Sequence, residues 1–336
     1  MTSATRAVIA VLAVVLVAAP AAAHVPTFPD DNTSPDRAVA VPDAVKSWSF
    51  YDRLEPGQVR YYRFSLDAGQ RLRVGTFTPA GGRFTPSVVL LSPALNGTDA
   101  VPPGVTVPEG MGAEVVAGER PDGPAYEPFA PSANYHTVGI DRAVETDRTY
   151  LVAVYELANR SGPVGVAVGS AERFSPVEYA TVPFDLVRTH TWAGQHPLVA
   201  VGPWLLTVLA GLALFRRRLA RRAPDVAPVA VRYATGAAGL LVVASAAKTL
   251  LQMGIALAAT GPTPGALVTA VFVVVPAVCG GWTIGVALRR PIAFSPRTRA
   301  GLAVAGVVAL ATWAGFLVGP GLLLALAVLP GRLVER

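Results

Sequence analysis

The residues of this chain whose types and spacing could do chemistry are four histidines, one lysine within an apolar run and three Asn-x-Ser/Thr triplets. His24 follows Ala21-Ala22-Ala23. A cut after Ala23 gives His24 an α-amine beside its imidazole, a chelate suited to copper(II) that His136, His190 or His196 would complete. The plainer reading makes His24 an exposed terminus with no ligand. His190 and His196 flank Trp192 in Thr189-His190-Thr191-Trp192-Ala193-Gly194-Gln195-His196, directly before the first long apolar segment. A membrane interface selects an aromatic there, so anchoring explains this stretch without a metal. Asn32, Asn96 and Asn159 begin sequons in loop-like sequence, as glycan acceptors must.

Lys248 is the one charge inside an apolar span, 16 residues from Arg232 and 12 from Thr260, with Gln252 one turn later on the same helical face. Burying an amine there costs at least a few kcal/mol on insertion scales (~3). Its functional reading is an ion, proton or lipid-headgroup site, and hence a small transporter. The bland reading is a lysine that snorkels outward or caps carbonyls near a kink. No Asp or Glu in any span offers it a counter-ion.

Stronger catalytic signals are missing. The chain has no G-x-S-x-G, H-E-x-x-H, phosphate-cradling G-x-x-x-x-G-K-S/T or Rossmann fingerprint. Its acids are scattered at loop positions and read as solvated surface charge. The single cysteine, Cys279, lies in an apolar segment, which excludes disulfides and thiolate metal sites elsewhere. The expectation is therefore a protein that is not an enzyme and holds no cofactor, with copper as the alternative at His24.

The elements that carry these residues fall into three parts. Residues 1–23 have the layout of a secretory signal: Arg6, the apolar run Ala7 to Ala19, then small residues at a cleavage site. Residues 24–196 carry 20 acidic and 14 basic residues, and residues 197–336 carry 13 basic and 2 acidic, so the net charges are −6 and +11. The overall +6 thus hides two opposite halves. Four apolar segments follow residue 196: 197–215, 233–259, 266–288 and 301–329, each near the roughly 20 residues that span a bilayer. Ten arginines between 216 and 299 fall in two short clusters between these segments, six from Arg216 to Arg232 and four from Arg289 to Arg299. That asymmetry predicts cytoplasmic Arg-rich loops and an extracellular N-terminal domain in the plasma membrane, and removes the basic charge as a nucleic-acid footprint. The fourth segment, interrupted by Gly319-Pro320-Gly321, is expected to be one kinked helix with its end outside; the alternative is a helix followed by a short re-entrant piece. Gly281 with Gly285, and Gly315 with Gly319, have the spacing that lets helices pack closely.

In the exported half, Tyr62, Phe64 and Leu66 alternate, Asp67-Ala68-Gly69-Gln70 reads as a turn, and Leu72 and Val74 continue beyond it. Strand patterns recur at 87–91, 135–140, 149–155 and 164–168, around a long Pro- and Gly-rich stretch, 93–131, without periodicity. This predicts an antiparallel β-sandwich beside an α-helical transmembrane bundle. Leu54-Glu55-Pro56-Gly57, Arg60 to Leu72, Thr149 to Tyr155 and Gly165 to Gly169 together resemble the pre-peptidase C-terminal type of β-sandwich, and the whole chain resembles exported membrane proteins that join such a sandwich to a few C-terminal helices. The resemblance implies a non-catalytic binding or accessory domain and brings no catalytic residues. The expected function is a membrane-anchored cell-surface binding or interaction protein. Its partners would be the lipid bilayer and an extracellular ligand or protein, with no nucleic acid.

Overall fold

A computed structural model of the protein describes residues 24–95, 100–221, 229–289, 292 and 294–330. The expected signal, residues 1–23, and the sequon asparagine Asn96 lie outside the described residues. The chain divides into two compact units. One holds all the strands and runs to Gln195, with Ala256–Gly261 added; the other holds His196–Ile255 and the chain from Pro262 onward.

The first unit contains two sheets. In the six-stranded sheet the order is β1 (Val25–Thr27), β3 (Trp48–Leu54), β11 (Gly162–Val168), β5 (Arg71–Pro79), β9 (Ser132–Ala143) and β8 (Ala125–Glu127). In the five-stranded sheet it is β2 (Val39–Ala40), β4 (Arg60–Leu66), β10 (Arg148–Glu156), β6 (Pro86–Ser92) and β7 (Gly112–Val116). Only the short pairs β1–β3 and β2–β4 run parallel. Alternation decides which side chains meet: Tyr62, Phe64 and Leu66 of one sheet share a buried core with Leu72, Val74, Val164, Val166 and Val168 of the other. This is the antiparallel sandwich expected from the strand pattern.

Both outer faces are also covered. β6 is buried along its whole length, because Val89 and Leu91, with Tyr61, Leu151, Ala153 and Tyr155, form a second apolar layer under Val101, Val105, Val107 and Met111. The Pro- and Gly-rich stretch therefore acts as a cover, pinned where the Thr106 N–H donates to the Tyr61 hydroxyl at 2.8 Å. Helix α1 (Pro176–Trp192) packs on β1 and β3 of the other sheet. Sequence periodicity gave no hint of α1, yet its start is written locally. Ser175 accepts from the Glu178 N–H while the Glu178 carboxylate accepts from the Ser175 N–H, a complete capping box with Pro176 in the first turn. Glu178 also receives Lys46 at 2.6 and 2.7 Å, tying α1 to the chain before β3.

Among the described residues, the second unit has three helices long and apolar enough to cross a membrane: α2 (Pro197–Ala220), α3 (Val229–Thr260) and α4 (Gly265–Ala287). The fourth segment is not one kinked helix. It forms α5 (Pro296–Ala311) and α6 (Val318–Val328), packed on each other. The Arg299 guanidinium, in the first turn of α5, donates to the carbonyls of Ala327 (3.1 Å) and Leu329 at the end of α6, so the two run antiparallel and both free ends lie on one side. The break comes at Trp313 to Phe316, where Trp313, Gly315 and Phe316 all have positive φ (50°, 81° and 55°). Gly319-Pro320-Gly321 instead opens α6, where a proline needs no N–H partner. Of the two glycine pairs the spacing suggested for helix packing, one packs closely and the other does not. A Cβ at Gly281 or Gly285 would meet nothing within 4 Å, whereas one at Gly239 of α3 would lie 2.7 Å from the Gly280 carbonyl of α4. Gly315 and Gly319 do approach α3, each against Val242.

Candidate functional site

Beneath α1, the outer face of the six-stranded sheet carries a cross-strand row. Register aligns Tyr51 with Gly165, Gly165 with Phe77 and Phe77 with His136. Gly165 is required here, because an added Cβ would stand 2.1 Å from the Phe77 ring lying across it. The Trp192 ring meets Tyr51 and Phe77 edge-on, at 4.9 and 5.7 Å between centroids, and its indole N–H donates to the Asp52 carbonyl at 2.6 Å. Phe28 stacks on Tyr51, and the Arg188 guanidinium covers Phe28 at 3.8 Å. Trp192, expected to be an interfacial anchor, is therefore part of the β unit's own aromatic packing.

Polar groups ring this aromatic layer. His24 sits at the start of β1 with its Nδ1 against the Ser47 hydroxyl. Burial, with a smaller contribution from the charge of nearby His136, lowers its pKa from 6.5 to about 4. Burial lowers His136 as well. Both imidazoles are thus neutral at pH 7, the form that ligates metals. Glu127, in β8, accepts the Phe129 N–H at 3.1 Å, yet desolvation outweighs that bond and, with the charge of Glu172 adding to it, raises its pKa from 4.5 to about 7. The Tyr51 hydroxyl is pushed well up by burial and by Glu127. The arrangement can hold one proton near neutrality on Glu127 and offers two imidazoles as nitrogen donors.

The four histidines do not converge. His24 and His136 come within electrostatic reach of each other. His190 is buried on α1, 3% exposed. His196 belongs to the helical unit, where its Nδ1 accepts the Leu198 N–H at 3.2 Å and caps α2. Among the described residues, no three His, Cys, Asp or Glu side chains are grouped as a metal site. Glu127, Ser47 and Tyr51 escaped the sequence reading. Glu127 lies in the aperiodic Pro- and Gly-rich stretch, and nothing local distinguishes it from a solvated acid.

The sequons fare differently from one another. Asn32 is fully buried, with its amide directed at the Tyr61 carbonyl at 3.5 Å, so a glycan there is incompatible with the packing. Asn159 is exposed at positive φ (57°) in the turn between β10 and β11. In the helical unit, Lys248 and Gln252 are both buried on α3, at 9% and 1% exposure. Among the described residues, clefts open on the β unit at two places at least. One, of about 190 Å³, is lined by Val45, Gln70, Arg71, Arg73, Gly169 and Ser170. Its guanidinium groups share Asp141, at 2.8 Å from Arg71 and 3.4 Å from Arg73. The other, of about 270 Å³, lies between Ser92–Ala94 and Thr146–Thr149. No known family's sequence profile and no curated protein matches this chain.

Proposed function

We propose that this chain is a membrane-anchored cell-surface protein whose β-sandwich is a non-catalytic binding or interaction module, as its resemblance to pre-peptidase C-terminal sandwiches implies. The observation that carries this reading is that the sandwich is complete in itself. Its core is closed, one outer face lies under α1 and the other under the Pro- and Gly-rich cover. A partner then meets loops, turns and cleft edges, the surfaces on which scaffolded domains carry recognition. The Arg71–Arg73 cleft carries two guanidinium groups and suits an acidic group of the partner. A photo-crosslinking amino acid at Gln70 in the full-length protein, in its host cells, tests this. A discrete adduct that the double charge reversal Arg71→Glu, Arg73→Glu abolishes supports the reading; an adduct pattern indifferent to the reversal contradicts it.

The approach of His24 to His136 favours a second reading, copper handling. Cleavage after Ala23 would add the α-amine to two neutral imidazoles, giving three nitrogens for copper(II). The fit is incomplete, because the His24 Nδ1 that would close the chelate is engaged by Ser47 and must be released. Copper titration of protein with a verified His24 N-terminus tests it. Affinity that falls at least tenfold in His136→Ala supports a two-histidine site, and equal affinity removes it.

A further inference from the structure

We propose that Lys248 and Trp204 together hold a phosphate-type oxyanion inside the helical unit, at the level of the α5–α6 hairpin tip. Lys248 is buried, and among the described residues it has neither a hydrogen-bond acceptor nor an ion-pair partner. The sequence supplies no internal remedy: the only acids after residue 196 are Asp225 and Glu335, both outside the apolar segments. The indole N–H of Trp204 on α2 is likewise buried without an acceptor. Two donors left without acceptors in a region where carbonyls are spent on helix hydrogen bonds call for an acceptor from outside the chain.

Helix packing puts the two donors at one depth. Gly211 of α2 lies against Leu240 of α3, and Phe215, four residues on, lies against Gly236, four residues back. The pair is therefore antiparallel, and the same register carried outward brings Trp204 level with residue 247, beside Lys248. The hairpin tip closes the group from the third side. Phe316 meets Trp204 edge-on at 5.5 Å, and the Gly315 N–H donates to the Ser245 hydroxyl at 2.8 Å, one turn before Lys248. Irregular backbone at membrane depth is tolerated where it is buried in protein or lines a cavity. The charge of Lys248 defines the ligand as an anion, and its setting among spanning helices admits two sources, a phospholipid headgroup or a soluble phosphate.

The test uses the full-length protein, delipidated in detergent, by native mass spectrometry with phosphatidylglycerol, with diacylglycerol as the phosphate-free control, and with inorganic phosphate in a separate arm. Lys248→Met should weaken binding of the phosphate-bearing probe by about tenfold or more, the scale of one charge-assisted hydrogen bond, and Trp204→Phe, which keeps the ring contact, by about fivefold. Loss confined to phosphatidylglycerol identifies a lipid as the source; loss in the inorganic phosphate arm identifies a soluble anion. Should Lys248→Met fail to fold, Trp204→Phe carries the test alone. Binding of both probes unchanged in every folded variant, or diacylglycerol bound as well as phosphatidylglycerol, overturns the proposal.

Discussion

Replacing Glu127 by Gln should stabilise the β unit at neutral pH and leave it nearly unchanged in mild acid. The folded protein raises this carboxyl from 4.5 to about 7. Between those values the native state keeps a proton that the unfolded chain has released, so this group's contribution to stability falls as pH rises from about 4.5 through about 7 and is level above that. At 1.36 kcal/mol per pH unit the total is about 3 kcal/mol. His24 works in the opposite sense. Its pKa of about 4 in the fold, against 6.5 for an unperturbed imidazole, means the unfolded chain takes the proton first, so stability is lost as pH falls from 6.5 toward 4, again by about 3 kcal/mol. The two slopes oppose each other and nearly cancel between about pH 4.5 and 6.5. Glu127→Gln keeps an oxygen to accept the Phe129 N–H and removes only the falling limb. Hydrogen exchange of β8 and β9 peptides in the full-length protein, corrected for intrinsic rates, reads the difference. The variant should gain about 3 kcal/mol of opening free energy at pH 7.5 and almost none at pH 4.5, leaving a steep rise with pH due to the histidines. An equal gain at both pH values, or a loss at pH 7.5, would refute the reasoning.

Two further outcomes follow from packing. Gly165→Ala places a methyl group 2.1 Å from a Phe77 ring already held by Tyr51 and Trp192, and should destabilise the β unit by about 2 kcal/mol in the same exchange experiment; a change below about 0.5 kcal/mol would show that Phe77 swings free. A tag after Arg336 should be reached by protease from the same side as a site engineered beside Arg299, because α5 and α6 return to one side; protection on that side and cleavage on the other would contradict the hairpin.

The sandwich was legible because its core strands alternate: Tyr62, Phe64 and Leu66 point inward while Arg63 and Ser65 point out. β7 and β8 were not, since each is a strand by virtue of pairing with β6 or β9 rather than by pattern. α1 was missed although Ser175 and Glu178 announce it, because its buried stripe is thin and short (Val182, Pro183, Thr189, His190). In the helical unit the apolar lengths were plain, but the hairpin turned on left-handed backbone at Trp313 and Phe316, which side-chain type disfavours and only tertiary contact enforces. The candidate site was half visible. Histidine chemistry singled out His24 with His136, His190 or His196 as its alternatives, and the structure brings His136 near it, whereas Glu127 became distinctive only when β8 placed its carboxyl, half-buried, beside Tyr51.

The proposed topology puts the β-sandwich outside the cell and the arginine-rich loops within. An impermeant maleimide applied to intact cells, in a Cys279→Ala background, tests it at two positions. The Asn159→Cys protein should label at once, and the Arg217→Cys protein only after permeabilisation. The reverse pattern would contradict the account.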